Sequence, residues 1–197
     1  MKDKFITLLG LTEKKNIDLI IGNLEKLGFF DAPASTRFHL DRQGGLLEHS
    51  VNVCNEAMAL RESLLERHPE LSDKLPLQST IFCALMHDIC KAEIYKEVKK
   101  WRKDQNNQWE TYTTYEPDYS HLPLGHGEKS VIRLLTWGVE MTQDEMLAIR
   151  WHMSAWDLPF QSNEEISNLN AARAKCPLLT VLQTADMIAS GIIETKQ

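Results

Sequence analysis

The feature that most constrains this chain is an aspartate on the apolar face of a helix. In the stretch ALMHDIC, residues 84–90, Ile81, Ala84, Leu85 and Asp88 fall at i, i+3, i+4 and i+7, the spacing of a buried helical stripe. A carboxylate therefore stands where a leucine is expected. The exception recurs in QTADMIAS, where Asp186 extends a stripe of Leu179, Leu182, Ala189 and Ile193. An ionised carboxylate buried alone costs several kcal/mol, so such a group is neutralised, paired or bound to a cation.

Histidines share the pattern. His87 adjoins Asp88, His49 follows GGLLE in the first turns of its helix, His126 lies between Gly125 and Gly127 at an expected helix start, and His152 follows Ala148 and Ile149 at i+4 and i+3. Met singly, each reads as a hydrogen-bonded core residue. Two aspartates and several imidazoles converging from separate helices instead point to a metal site.

Helical periodicity runs along most of the chain, and the expected class is all-α: a helical bundle with one small inserted β-hairpin. Residues 1–30 read as an N-terminal helical arm packed on a domain formed by 31–197. Thr12 is the expected N-cap of a helix bearing Ile17, Ile20, Ile21, Leu24 and Leu27, with Gly28 at its stop. A breaker-rich loop over 31–45 leads to a long helix striped by Leu47, Val51, Cys54, Met58 and Leu65, ending near His68-Pro69. Pro76 opens the helix that ends with HDIC. The basic segment 96–115, with QNN at its centre and strand-favouring flanks, reads as the hairpin. Three helices follow, near 127–138, 142–153 and 177–193. Thr142 and Glu145 form a capping box for the second, and Asp157-Leu158-Pro159 breaks the chain before the third.

A net charge of −6 argues against a chain that grips nucleic acid across its whole surface. Lys96, Lys99, Lys100, Arg102 and Lys103, with Trp101 and Trp109, could bind phosphates or stack a base, but an exposed charged hairpin is the favoured reading. Nucleic acid is accordingly the less favoured partner. Cys54, Cys83, Cys90 and Cys176 form no CxxC pair and sit in apolar runs, as buried free thiols of a reducing compartment would. The apolar run FITLLGL is cut off by TEKK, too short for a signal peptide or a span, so a soluble cytoplasmic protein without a membrane partner is expected.

The segments GGLLEHS, LMHDICK, GHGEKS, AIRWHM and QTADMIAS resemble the successive motifs of the HD-domain metal-dependent phosphohydrolase superfamily, over residues 44–190. The resemblance implies a helical domain in which His49, His87, Asp88 and Asp186 make a basic metal site, with His126 and His152 as ligands of a second ion. Asp88 would bridge two divalent cations, drawn from Mn, Fe, Ni, Zn or Mg, and serve catalysis with Lys91, the lysine of an HDxxK pattern. Cys90 departs from the glycine common at its position.

The implied activity is hydrolysis of a small-molecule phosphoester, a nucleotide or related mono- or diester, by a metal-bridging hydroxide. No Ser or Cys nucleophile constellation and no phosphate-cradling glycine loop competes with it. The same ligand set resembles the minority of HD proteins that hold two irons and cleave a carbon bond with oxygen. A sensing module with an unused site is the third reading, weakened by the presence of all six ligand types. His121, ahead of LPLGH, could line the site mouth, whereas His39 and His68 read as surface residues. Glu48, Glu128, Lys129 and Arg150 stand beside ligands as orienting groups or as solvated helix charge.

Overall fold

The computed structural model describes residues 1–157 and 162–195. Its elements in chain order are α1 (Lys2–Gly10), α2 (Ile17–Leu27), α3 (Gly45–Arg67), a 3-10 turn (Pro69–Lys74), α4 (Leu77–Met86), the short α5 (Lys91–Ile94), β1 (Tyr95–Lys103), β2 (Trp109–Pro117), α6 (His126–Thr136) and α7 (Gln143–Trp151). A 3-10 turn (Ser154–Asp157), α8 (Asn163–Lys175), α9 (Pro177–Ile188) and a π-helical turn (Ala189–Ile193) complete it. The described residues are thus mostly helical, with one two-stranded antiparallel sheet among them. Among the described residues, no single helix is long and apolar enough to cross a membrane.

The long helix α3 packs against α4 and α9, and α7 closes the bundle against α4, α6 and α9. Ile81, Ala84 and Leu85 of the α4 stripe are fully buried, together with Leu46, Val53 and Cys54 of α3 and Leu179, Leu182 and Ala185 of α9. Phe5, Leu9, Ile20, Leu24 and Phe29 from the N-terminal segment enter the same core. Glu145 ties three parts together: its carboxylate accepts from Thr142 N–H at 2.8 Å, Lys14 Nζ at 2.7 Å and Ser79 Oγ at 3.0 Å, while Thr142 Oγ1 accepts from Glu145 N–H at 3.1 Å. The expected capping box is therefore present and doubles as a packing joint.

The long helix stops at His68, ahead of Pro69, and Gly28 closes α2 in the left-handed region with φ +79°, both as expected. The hairpin pairs Tyr95 with Pro117 through Lys103 with Trp109. Asp104 Oδ1 accepts from Asn106 and Gln108 N–H in its turn. Trp101 and Trp109 are largely exposed, and several of its charges pair internally, as Lys100 does with Glu116 and Arg102 with Glu110.

Four expectations need correction. Thr12 does not cap α2; its hydroxyl donates to Leu9 O at 2.7 Å and so finishes α1, which carries Phe5 to Gly10 of FITLLGL, instead. The HDIC residues form a tight turn after α4 rather than its last helical turn. An additional helix, α8, occupies 163–175. It has little apolar periodicity; Leu169 and Ala172 enter the core, and its ends are supported locally, with Ser162 Oγ accepting from Glu165 N–H at 3.3 Å, acidic residues in the first turn and basic ones in the last. Ile193, expected on the buried stripe of the last helix, is 48% exposed because the π turn rotates it outward. The expected break at Asp157-Leu158-Pro159 falls largely on Leu158 and Pro159, which lie outside the described residues.

Candidate metal centre

The turn after α4 sets Asp88 at the middle of a row of imidazoles. Successive ring centroids along His39, His49, His87, His152 and His126 are 5.1, 5.3, 4.8 and 5.7 Å apart. His87 and His152 sit at the C-terminal ends of α4 and α7, where the carbonyl three residues back is in reach. His87 Nδ1–H donates to Ala84 O at 2.8 Å, and His152 Nδ1–H donates to Ile149 O at 2.7 Å. A carbonyl only accepts, so Nδ1 carries a proton in both rings and Nε2 is the end turned into the cluster.

Those nitrogens face Asp88 from two sides. His49 Nε2 and His87 Nε2 lie 3.4 and 3.3 Å from Oδ2, and His126 Nε2 and His152 Nε2 lie 2.6 and 3.3 Å from Oδ1. His49 Nε2 is also 3.3 Å from Asp186 Oδ1. The structure thus brings together all six residues singled out as ligands. The Nε2 atoms of His49, His87 and His152 are buried without a hydrogen-bond partner. Each such atom carries a desolvation cost of ~1–3 kcal/mol unless something accepts its lone pair. Within each of the sets His49/His87/Asp88, His87/His152/Asp186 and Asp88/His126/His152, one donor atom per residue lies within 4.8 Å of the others. Orphaned imidazole nitrogens grouped with carboxylates suit Mn, Fe, Ni or Zn, so the residues fit a divalent metal centre.

Glycines make the approach of these helices possible. A Cβ on Gly127 would stand 2.2 Å from Arg150 O and 2.5 Å from Ile149 O, so only glycine lets the start of α6 lie against the end of α7 and set His126 beside His152. Gly45 does the same for α3, where a Cβ would meet Leu40 O at 2.0 Å. Ser130 Oγ accepts from Cys90 N–H at 3.3 Å and ties α6 to the HDIC turn.

The electrostatics follow from the crowding of opposite charge. Burial opposes the charged form of Asp88, but Lys91, His87 and His126 more than offset it and hold the carboxyl well below its usual range. Burial likewise works against charge on His126, yet Cys90 and Asp88 hold its imidazolium up to about 10. His49 is raised too, its burial outweighed by Asp186, Asp88 and Glu194. His152 goes the other way, lowered by burial and by neighbouring imidazoles. The cluster favours positive charge among its carboxylates.

Lys91 is buried, with Nζ 2.6 Å from Asp88 Oδ2, rather than a solvated helix-end lysine. It lines a cavity of about 390 Å³ with His39, His152, Trp156, Arg173 and Asp186. Arg173, from α8, donates to Ser154 Oγ and, at 3.5 Å, to Gln183 Oε1. An apolar groove of similar size between α6 and α7 holds none of the six ligand residues.

Sequence reasoning missed several residues here. His39, read as a surface residue, packs against His49 with its Nε2 buried. Glu194 and Asn52 were not singled out, nor was Arg173, whose helix was not foreseen. Among the flanking residues, Glu48 pairs with Arg42 and Glu128 with Arg150, while Lys129 is buried rather than solvated. His121 and His68 are exposed. Comparison of the chain with protein-family models, with curated proteins and with solved structures gives no match.

Proposed function

We propose that this protein is a metal-dependent phosphohydrolase of the HD-domain type, acting on a small phosphoester with nucleotides as the leading class. The observation that carries the reading is the division of four imidazoles between the two oxygens of one carboxylate, His49 and His87 on Asp88 Oδ2 and His126 and His152 on Oδ1. The five motifs that resemble the superfamily supply these same residues. His49, His87, Asp88 and Asp186 would hold one divalent ion, and Asp88, His126 and His152 a second. Bound ions supply Lewis acidity toward phosphoryl oxygens and a water acidified into the neutral range.

The chain's own groups bind and orient the ester. Lys91 lines the cavity with its ammonium charge favoured by Asp88, and it offsets phosphate charge at the metal end. Arg173 presents a planar guanidinium, held by neutral acceptors, to an anionic or hydrogen-bonding group further out. Trp156 offers a flat apolar ring at the mouth. The cavity of about 390 Å³ suits a small molecule, within the ~300–1,000 Å³ of ligand sites.

The test is phosphate release from a panel of nucleotides and other phosphoesters by chain reconstituted with Mn or Co, alongside elemental analysis. Fully loaded protein that hydrolyses none of them, while consuming oxygen with iron bound, would move the reading to the di-iron oxygenase alternative.

A further inference from the structure

The helix that carries Asp186 does not finish as an α-helix. Residues Ala189–Ile193 form a π turn, in which Glu194 N–H donates to Ala189 O at 2.9 Å, a bond spanning five residues. At ~100° per residue an unbroken α-helix would leave Glu194 about 80° round the axis from Asp186 and put Ile193 on the inner face instead. The wider turn reverses this: Ile193 is 48% exposed and Glu194 only 7%.

Two carboxylates of one helical segment thereby meet opposite nitrogens of a single imidazole. Asp186 Oδ1 lies 3.3 Å from His49 Nε2, and Glu194 Oε2 and Oε1 lie 2.9 and 3.2 Å from His49 Nδ1. Asn52, three residues beyond His49 on α3, donates Nδ2–H to Glu194 Oε1 at 2.9 Å. His87 and His152 take their Nδ1 acceptor from a carbonyl three residues back on their own helix. For His49 that carbonyl is Leu46 O, which already accepts Ser50 Oγ at 3.0 Å and lies within a continuing helix. His49 alone of these three uses a charged side chain instead.

We infer that Glu194, turned inward by the π segment and held by Asn52, is a positioning residue that fixes His49 with Nδ1–H outward and the Nε2 lone pair toward Asp88 and Asp186; the inference rests on the metal reading of that cluster. A carboxylate acceptor orients the ring and makes its far nitrogen a stronger donor, and removing such a partner lowers metal affinity 10–100-fold in comparable sites. The role requires the π turn, since Glu194 reaches His49 only in that register.

The experiment is titration of metal-stripped full-length chain with Co²⁺ and Zn²⁺ against a chromophoric chelator, well below the thermal midpoint of every variant. Glu194→Gln, which keeps an acceptor oxygen but loses the charge, should weaken the first metal equivalent ~10-fold, and Glu194→Ala up to ~100-fold. Asn52→Ala, which frees Glu194 without touching His49, should give a smaller loss in the same direction, and it decides the matter if the Glu194 variants fail to fold. A purely structural Glu194 would lower the thermal midpoint and leave metal affinity unchanged; that outcome overturns the inference and leaves the metal centre standing. Wild-type chain that takes up neither ion overturns the metal reading, and the inference with it.

Discussion

Lys91 Nζ lies 2.6 Å from Asp88 Oδ2, on the oxygen that also faces His49 and His87. The lysine follows the aspartate by three residues across the turn after α4, and both are buried, so each removes part of the other's desolvation cost. Lys91→Met should therefore destabilise metal-free protein by about 3 kcal/mol, the scale for losing one partner of a buried pair. Added metal should restore the stability. Turnover of an active phosphoester should fall by two orders of magnitude or so while metal content is kept. Unchanged kinetics would remove Lys91 from the proposed anion site.

Asp88→Asn keeps the shape and loses the charge. Because the two oxygens serve separate pairs of imidazoles, this variant should lose metal from both halves of the centre, falling from about two equivalents per chain toward none, with activity abolished. Elemental analysis after reconstitution reads the result directly. Retention of one full equivalent would show that the two halves bind independently of this carboxylate.

Gly127→Ala tests how the second half is assembled. Its Cβ must displace backbone at Arg150 or Ile149, which has no flexible end to yield, so α6 must move and carry the adjacent His126 with it. A cost of ~1–3 kcal/mol is expected from such overpacking. Any metal bound through His126 and His152 should be lost while the His49 side keeps its own. Equal loss at both sides in a still-folded variant would argue against this division.

Cys54, Cys83 and Cys176 should be silent. Burial pushes the Cys54 thiol up to about 12 and raises Cys83 and Cys176 as well, and all four side chains are buried and free. Thiolate, not thiol, reacts with disulfide reagents. Native chain at pH 8 should label slowly at these three positions, and denatured chain should label rapidly at all four cysteines. Rapid labelling of the three in native protein would point to opening of the core around these helices.

Reaction class follows from metal and oxygen dependence. A phosphohydrolase needs a Lewis-acidic pair and a bound hydroxide, so Mn or Zn should support phosphate release under strictly anaerobic conditions. Activity seen solely with iron, and with oxygen consumed in step with product, would assign the chain to the oxygenase alternative.

The buried cluster was legible in part in the sequence because burial writes itself into helical periodicity. Asp88 and Asp186 stood out as carboxylates in apolar stripes, and His152 followed its stripe at i+3 and i+4, so the burial cost pointed to a shared cation before any distance was known. One capping box was legible for the same local reason, Thr142 and Glu145 being three residues apart and needing no tertiary partner, whereas Thr12 finishes α1 and does not cap α2. Ser162 and Glu165 carried a like signal for α8, masked by a helix with almost no apolar stripe.

What only the tertiary structure decided is which groups meet across the bundle and in what register. Periodicity assumes 3.6 residues per turn, so it placed Ile193 inward; one π turn exchanged it for Glu194 and gave His49 its acceptor. His39 lies in a breaker-rich loop with no period to read, and it reaches His49 because the chain folds back there, with Ala34 N–H bonded to Leu40 O and Gly44 N–H to Asp31 O. A sequence records the burial cost of a side chain locally, through its neighbours at i+3 and i+4. The partner that offsets that cost is fixed by packing between distant segments, as Glu194 is to His49.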